Sequence, residues 1–441
     1  MSTTQNTLPV PDLTGLSDQQ RWLFLDATRG TNGLHGFLVV GNKRTLSIPA
    51  ADPDAYRQIA SFVGAASGRC FGWIGYDQTR AHPLLDLPDQ SDVAVALPAV
   101  HWTEPEGVLS FQTTAEETHL EWLVRPGSTL SNRMEAAIHS NAREEVDASQ
   151  QPMVSGYSSL NRTAYGAAFS RVHNHILRGD IYELNLCREI SGKLSEDWCP
   201  MAAFQRMTRQ TSAPFSALLQ WKDVDILCAS PERFLRREGD RLISQPIKGT
   251  TARHPDPERD AALAKALQTD PKERAENIMI ADLVRNDLSQ VARPSTVEAE
   301  ELCGIHSFQN VHQMVSTVTC SVREDKGFAD ILHAAFPMGS MTGAPKIRAM
   351  EIAAEVEPVR RGLYSGAIGW ADPDGRGGAG DFDFNVVIRT ALVDRRSKRW
   401  SVHVGGAITA LAREKAEWDE TQLKAKAVLD ALGAIESPTL Q

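Results

Sequence analysis

Along this chain the spacing of apolar residues switches between two and about 3.6, and each switch predicts an element. Residues 1–130 read as short strands broken by turns. Within them, 37–40 and 44–48 flank Gly41-Asn42-Lys43 as a hairpin, 55–63 is a helix and 71–76 a strand. From 130 to 156 the composition turns polar. A helix is expected there over about 133–146, and the Gln-, Ser- and Pro-containing residues after it read as a linker. Two regions result, 1–150 and 157–435, expected as parts of one body. Beyond the linker, helices and strands alternate. Residues 164–177 are helical in pattern and stop at Gly179, while 181–190, 215–221, 226–229 and 234–237 are strand-like. Asp270 followed by Pro271 is an N-cap with proline at the first helical position, so a helix runs to about Asp287. Residues 384–392 and 400–404 alternate across the polar turn 394–398 as a second hairpin, and a last helix covers about 413–432. The glycine-rich stretch 372–380 reads as a mobile connection rather than a phosphate cradle, because no helix follows it.

Within this pattern Lys248 stands out, in Ser244-Gln-Pro-Ile-Lys-Gly-Thr250. Pro246 fixes φ and Gly249 frees it, which marks a turn at a strand end. Glu232 lies upstream in Ser230-Pro-Glu-Arg-Phe234, and Glu273 and Glu276 lie downstream. A lysine near acids is a nucleophile only where its pKa is pushed down enough to supply a neutral amine. The plain alternative is a solvated surface lysine.

At 100° per residue, the helix from Pro271 sets Glu276 among Met279, Ile280 and Leu283, with Glu273 on the same side. An inward carboxylate needs a cation or hydrogen-bond partners. Ile278 on the opposite side suggests cover on both faces. The 413–432 helix repeats the arrangement: Glu417 and Glu420 share a face with Leu423, Lys424 and Ala427. Alone, Glu420 and Lys424 are an exposed i,i+4 pair. Two Glu-x-x-Glu faces are also what a Mg²⁺ site needs, with substrate oxygens completing the octahedron. Gly68-Arg-Cys-Phe-Gly72 matches the short elbow around the cysteine of glutamine amidotransferases, but a strand follows it instead of a helix, so Cys70 is not expected to be catalytic. His173 and His175 point in different directions on one helix and make no metal site.

The 441 residues allow two or three domains or one large α/β body. Lys plus Arg is 46 against 56 for Asp plus Glu, a formal charge of −10 with no basic run, so no nucleic-acid partner is expected. A divalent cation would still let an acidic chain bind an anionic substrate. Six cysteines without CxxC spacing argue against zinc or a disulfide framework and fit a reducing, cytoplasmic setting. The start, Met1-Ser-Thr-Thr-Gln-Asn, carries no apolar signal core, and no run of about 18 apolar residues implies a membrane span.

Taken together, Gly179-Asp-Ile-Tyr-Glu-Leu-Asn-Leu186, Ser230-Pro-Glu-Arg-Phe234, Pro246-Ile-Lys-Gly-Thr250, Arg274-Ala-Glu-Asn277, Asp282-Leu-Val-Arg-Asn-Asp287, Thr342-Gly-Ala-Pro-Lys-Ile-Arg-Ala-Met350, Arg361-Gly-Leu-Tyr-Ser-Gly366, Ile388-Arg-Thr390 and Glu417-Trp-Asp-Glu420 resemble the chorismate-binding enzymes. That family includes anthranilate, aminodeoxychorismate, isochorismate and salicylate synthases. The resemblance implies an α+β fold, two large antiparallel sheets packed face to face with helices outside, and Mg²⁺-dependent attack on chorismate. By the same carry-over Glu276 and Glu420 hold Mg²⁺, Glu273 and Glu417 support them, and the ion holds the ring carboxylate. Tyr364, Arg389 and the backbone N–H groups of Gly405, Gly406 and Ala407 hold the enolpyruvyl carboxylate, with Ser340 and Lys424 close to the substrate.

Lysine at 248 resembles the aminodeoxychorismate-forming branch of the family, whereas alanine there resembles the anthranilate-forming one. The implied chemistry is attack of the amine on ring C2 with loss of the C4 hydroxyl, then ammonia at C4, with Glu232 as general acid and base. The product would feed p-aminobenzoate and folate synthesis, and the ammonia would come from a separate glutaminase chain. Gln313 stands where the family often has histidine, and glutamine cannot shuttle a proton near neutral pH. A sister synthase making anthranilate or isochorismate, and a chorismate-binding protein without turnover, remain as alternatives.

Overall fold

A computed structural model describes residues 11–437 apart from 17–19, 27–32, 115–116, 141–153, 196–197, 212 and 309–310. Its strands make two sheets. The larger has twelve, in the order Ala434–Glu436, Val154–Ser158, Glu183–Lys193, Arg399–Ile408, Thr390–Asp394, Val224–Ser230, Phe215–Trp221, Arg21–Asp26, Gly33–Val40, Gly107–Thr114 and Thr118–Val124, with Gly343–Ala344 also on Glu183–Lys193. The smaller has ten, in the order Ile247–Ala252, Val311–Ser321, Arg241–Gln245, Arg233–Glu238, Ala379–Val386, Ala367–Pro373, Cys70–Ile74, Val100–Glu104 and Arg44–Ile48, with Glu298–Ser307 also on Val311–Ser321. Among the described strands, only Ala434–Glu436 and Val154–Ser158 pair in parallel.

Period-two alternation explains how the layers stack. In Arg21–Asp26, Trp22 and Phe24 face the smaller sheet and meet Phe71 and Trp73. Leu23 and Leu25 point the other way, into a cluster with Met134 and Phe204 from helices outside the larger sheet. With both faces buried the strand reads as an unbroken apolar run. Ala55–Gly64, Pro271–Ser289 and Phe328–Ala335 cover the outer face of the smaller sheet. Ser128–His139, Pro200–Thr211 and Glu414–Leu432 cover the larger one, and Arg162–Leu177 and Lys346–Val356 close over the Glu183–Lys193 strand. This is the two-sheet α+β architecture expected from the motifs. Strands from before residue 130 enter both sheets: Arg21–Asp26 pairs with Phe215–Trp221, and Cys70–Ile74 with Ala367–Pro373.

Several local expectations are corrected. The hairpin over 37–48 does not form. Gly33–Val40 belongs to the larger sheet and Arg44–Ile48 to the smaller, and Gly41, at φ +71°, turns the chain from one to the other. Residues 384–392 are not one strand either, because Ala379–Val386 and Thr390–Asp394 lie in different sheets with a crossing at 387–389; the hairpin from Thr390–Asp394 to Arg399–Ile408 does form. Alternation records which side of a strand is buried, not which sheet the strand joins. The helix expected over 133–146 is Ser128–His139, and most of the proposed linker lies outside the described residues. Stretch 372–380 is a hairpin turn tied by Asp374 Oδ1, which accepts from the backbone N–H of Arg376 and Gly378 at 2.7 and 2.8 Å. Ile278 is exposed, so the Pro271–Ser289 helix is covered on one face only, through Asn277, Ile280, Ala281, Val284 and Leu288.

Candidate active site

The chain crosses between sheets at two places that lie side by side, and the site is built on them. Val224–Ser230 ends in the larger sheet and Arg233–Glu238 begins in the smaller, so Pro231 and Glu232 form one crossing. Residues 387–389 form the other. The two are joined where the Ala229 N–H donates to Arg389 O at 3.1 Å and the Val386 N–H to Glu232 O at 3.0 Å. Arg389 itself sits at φ +49°, the backbone reversal that lets the chain change sheets.

Lys248 arrives from the edge of the smaller sheet. Arg241–Gln245 and Ile247–Ala252 pair with the same strand, Val311–Ser321, and the kink between them falls at Pro246. Pairing is irregular between Ile247 and Thr250, and Gly249 takes φ +83° there. The expected turn is thus a bulge that swings Lys248 toward the larger sheet. Its Nζ donates to Glu183 Oε1 at 2.9 Å, and the Glu183 side chain is only 1% exposed. Burial alone would lower the lysine pKa, but the charges of Glu183, Glu276 and Glu232 outweigh it and hold the amine above its usual range. As it stands in the structure, the lysine is an ammonium.

Glu232 shows the opposite balance. Burial pushes its pKa up to about 7, against the Ser340 hydroxyl, the Lys248 charge and the Ile247 N–H. Ser340 Oγ donates to Glu232 Oε1 at 2.7 Å from the short turn Gly339–Met341. A carboxyl that titrates near neutral pH is suited to both giving and taking a proton.

Four carboxylates line the adjacent side. Asp270 caps the Pro271–Ser289 helix, its Oδ1 accepting from the N–H of Lys272 at 2.9 Å and Glu273 at 3.0 Å. Asn277, fully buried, then locks the helix to the smaller sheet: its Nδ2 donates to Met314 O at 3.1 Å and its Oδ1 accepts from Ser316. This sets Glu276 and Glu273 on the border of the buried face. Lys272 Nζ lies 3.6 Å from Glu276 and 3.9 Å from Glu273. From the Glu414–Leu432 helix, Glu417 is buried and its carboxyl is pushed up to about 7 by burial and by Glu420. Burial would also raise Glu420, but Lys424 at 2.7 Å holds it below the usual range. Burial likewise raises Glu273 and Glu276, and charges reach across the helices, Glu420 acting on Glu273 and Glu276 on Glu417. Among the described residues, no three acidic, imidazole or thiol groups already converge on one metal-sized point.

Arg389 and the 405–407 segment supply a cation and backbone N–H groups. The Arg389 guanidinium is half-buried with no ion-pair or hydrogen-bond partner among the described residues, and burial lowers its pKa. Gly405, Gly406 and Ala407 pair with Cys187, Leu186 and Asn185 on one edge, while the Thr390–Asp394 strand covers the other edge of their strand only as far as Val402. Lys424 Nζ donates to Gly405 O at 3.1 Å, and a Cβ on Gly406 would lie 3.5 Å from Glu417 Oε2, so the glycine edge adjoins the acidic group. Tyr364 stacks on His403 with ring centres 5.4 Å apart, and its hydroxyl is hydrogen-bonded with the Cys187 thiol. Gln313 is buried in Val311–Ser321 across from Thr250. Its neighbour His312 turns away to Ser307 at 2.7 Å and Asp260 at 3.0 Å. Cys70 is buried at the start of the Cys70–Ile74 strand, with its thiol pushed up to about 12 by burial. Among the described residues the six cysteines are free, and no helix is long and apolar enough to cross a membrane.

A model of the chorismate binding enzyme family matches residues 34–430. The chain belongs to the chorismate-binding enzymes. It is 34% identical over 436 residues to aminodeoxychorismate synthase component 1 of Klebsiella aerogenes, covering 92% of this chain and 88% of that one. Against aminodeoxychorismate synthase of Streptomyces griseus it is 42% identical over 380 residues, which are 82% of this chain and 50% of that relative. Anthranilate synthase component I from Streptococcus pneumoniae TIGR4 superimposes with a TM-score of 0.75 over 90% of this chain and 92% of that one, at 21% identity, a likeness of fold.

Within this family fold, electrostatic interactions link Lys248, Glu232, Glu276, Glu420 and Lys424, which come from four separate segments of the chain. Residue-type reasoning missed two groups. Glu183, in the Gly179–Leu186 motif, was legible only as a charged residue in an apolar strand. Arg361 is the other: it pairs with Glu357 at 2.7 and 2.9 Å and donates to Met341 O at 2.6 Å and Asn185 O at 2.8 Å. It thereby ties the strand carrying Glu183 to the turn carrying Ser340.

Proposed function

We propose that this chain converts chorismate and ammonia to 4-amino-4-deoxychorismate through a covalent adduct on Lys248. The observation that carries the reading is the placement of Lys248, a largely buried amine 2.9 Å from Glu183 and close in charge to Glu232 and Glu276. A structural lysine would have no need of a proton-exchanging carboxyl nearby, and Glu232 provides one. Lys248 sheds a proton, attacks ring C2 and displaces the C4 hydroxyl, which leaves as water with the proton of Glu232. Ammonia then adds at C4, Lys248 departs, and Glu232 recovers a proton from the new amine. Gln313 leaves this acid–base work to Glu232.

Arg389, whose guanidinium is unpaired among the described residues, Tyr364 and the N–H groups of Gly405, Gly406 and Ala407 would hold the enolpyruvyl carboxylate, with Ser340 and Lys424 beside the ring. Glu276 and Glu420, supported by Glu273 and Glu417, would hold Mg²⁺. The donors are hard oxygens, and their crowding, offset in part by Lys248, Lys272 and Lys424, fits a divalent cation. When bound, Mg²⁺ supplies positive charge to the ring carboxylate. The name of the Klebsiella aerogenes relative, component 1, supports a second chain as the source of ammonia. The test is incubation of the purified chain with chorismate, Mg²⁺ and an ammonium salt, followed by the mass and ring position of nitrogen in the product. Nitrogen at C4, with a chorismate-dependent adduct that Lys248→Ala abolishes, is expected. Nitrogen at C2, or full C4 amination by Lys248→Ala, would overturn the reading.

A further inference from the structure

One buried group in the cleft has no part in the steps above. Glu183 is 1% exposed, and while Oε1 accepts from Lys248, Oε2 is buried without a hydrogen-bond partner among the described residues. An unsatisfied buried carboxylate oxygen is costly, so it calls for a reason. The main chain around it is held closely. Glu183 and Leu184 pair with Ala344 and Gly343. Gly343 sits at φ +146°, and a Cβ there would lie 2.2 Å from Glu183 O, so only glycine permits the approach. Three carboxylates face the lysine. Glu232 is engaged by Ser340 at 2.7 Å, and Glu276 shares Lys272 at 3.6 Å. Among the described residues Glu183 alone is hydrogen-bonded to the amine.

We propose that Glu183 is the catalytic base for Lys248, taking one Nζ proton as the amine attacks and returning it as the amine departs. The inference rests on the covalent reading above and divides the proton traffic. Before attack, one proton waits on Lys248, hydrogen-bonded to Glu183, and another on Glu232. Transfer to Glu183 frees the lone pair, which forms the N–C2 bond while the ring π electrons shift and the C4–O bond breaks. The departing oxygen takes the proton of Glu232 and leaves as water, and the adduct is a secondary ammonium. Ammonia then forms the N–C4 bond, the π electrons shift back and the C2–N bond breaks, releasing Lys248 as a neutral amine. The C4 ammonium gives one proton to Glu232, and Glu183 returns its own to Lys248. No oxidant or further reactant is needed.

The test separates charge from shape. Glu183→Gln keeps the volume and an acceptor oxygen for Lys248 but is not basic, whereas Glu183→Asp keeps the carboxylate on a shorter arm. Adduct formation is followed by rapid quenching and intact-protein mass spectrometry, with chorismate KM and thermal unfolding measured alongside. We expect Glu183→Gln to slow adduct formation more than about a hundredfold with KM unchanged, and Glu183→Asp to recover much of the loss. A merely structural role reverses the order, because Gln fits and Asp does not. Gln faster than Asp, or equal to the unaltered chain, overturns the inference. If Glu183→Gln does not fold, Glu183→Ala assayed with and without added formate decides: adduct formation restored by the small carboxylate supports the inference, and a slowed rate that formate leaves unchanged overturns it. Adduct in the unaltered chain with no effect of either variant sinks this inference only; C4-aminated product without any adduct sinks the covalent reading as well.

Discussion

Replacing Glu232 by glutamine should make the protein more stable and much less active, with a stability gain that depends on pH. The carboxyl is fully buried and burial lifts its pKa from 4.5 to about 7 in the folded chain. At about 1.36 kcal/mol per tenfold change in proton affinity, that difference corresponds to ~3 kcal/mol. The sign follows from proton binding. Below pH 4.5 both folded and unfolded chains hold the proton, and the group contributes no pH dependence. Between 4.5 and about 7 the folded chain keeps a proton that the unfolded chain has released, so stability falls as pH rises. Above about 7 the folded chain carries the ionised carboxylate at full cost. Glutamine has the same shape and no such term. The stability of Glu232→Gln minus that of the unaltered chain should therefore grow by ~3 kcal/mol between about pH 4.5 and pH 8. Urea unfolding of both proteins across that range measures it, given a common slope m. Other groups titrate too, but those independent of Glu232 cancel in the difference. Turnover should drop by about a hundredfold or more over the same range. A stability difference that stays constant with pH would refute the assignment of Glu232 as a buried, neutral-range acid.

Further consequences attach to the other walls of the cleft. Glu276→Gln should raise the Mg²⁺ concentration for half-maximal turnover more than about tenfold, and an unchanged metal titration would remove it from the site. Arg389→Ala should raise chorismate KM by about ten- to a hundredfold, the loss of a charge-assisted hydrogen bond worth ~1.5–3 kcal/mol, while Arg389→Lys recovers only part. Gly343→Ala puts a methyl 2.2 Å from Glu183 O at φ +146°, so it should cost about 1–3 kcal/mol by chemical unfolding and slow adduct formation as well. A variant with unaltered unfolding would show that Gly343 is not required for the close approach.

What the amino-acid order determined alone is what neighbouring residues decide among themselves. Asp270-Pro271 starts a helix because the cap and the locked φ act within one turn, and the helix runs Pro271–Ser289 as its pattern predicts. Arg162–Leu177 and Glu414–Leu432 follow from the same local rules, and the Glu-x-x-Glu spacing put each carboxylate pair on one helix side. The family motifs carried the two-sheet architecture, which no local period contains. Tertiary structure decided the rest. Gly41-Asn42-Lys43 has the composition of a hairpin turn, yet it joins strands of different sheets, because a strand's partner is chosen by packing against residues far along the chain. Glu183 and Lys248 are 65 positions apart and Glu232 and Ser340 are 108 apart, so neither pair leaves a mark in any window of sequence. Their proton affinities belong to the same class. Burial and the charges of distant segments leave Lys248 an ammonium and bring Glu232 to neutrality, and both exist only once two sheets and their covering helices have closed around them.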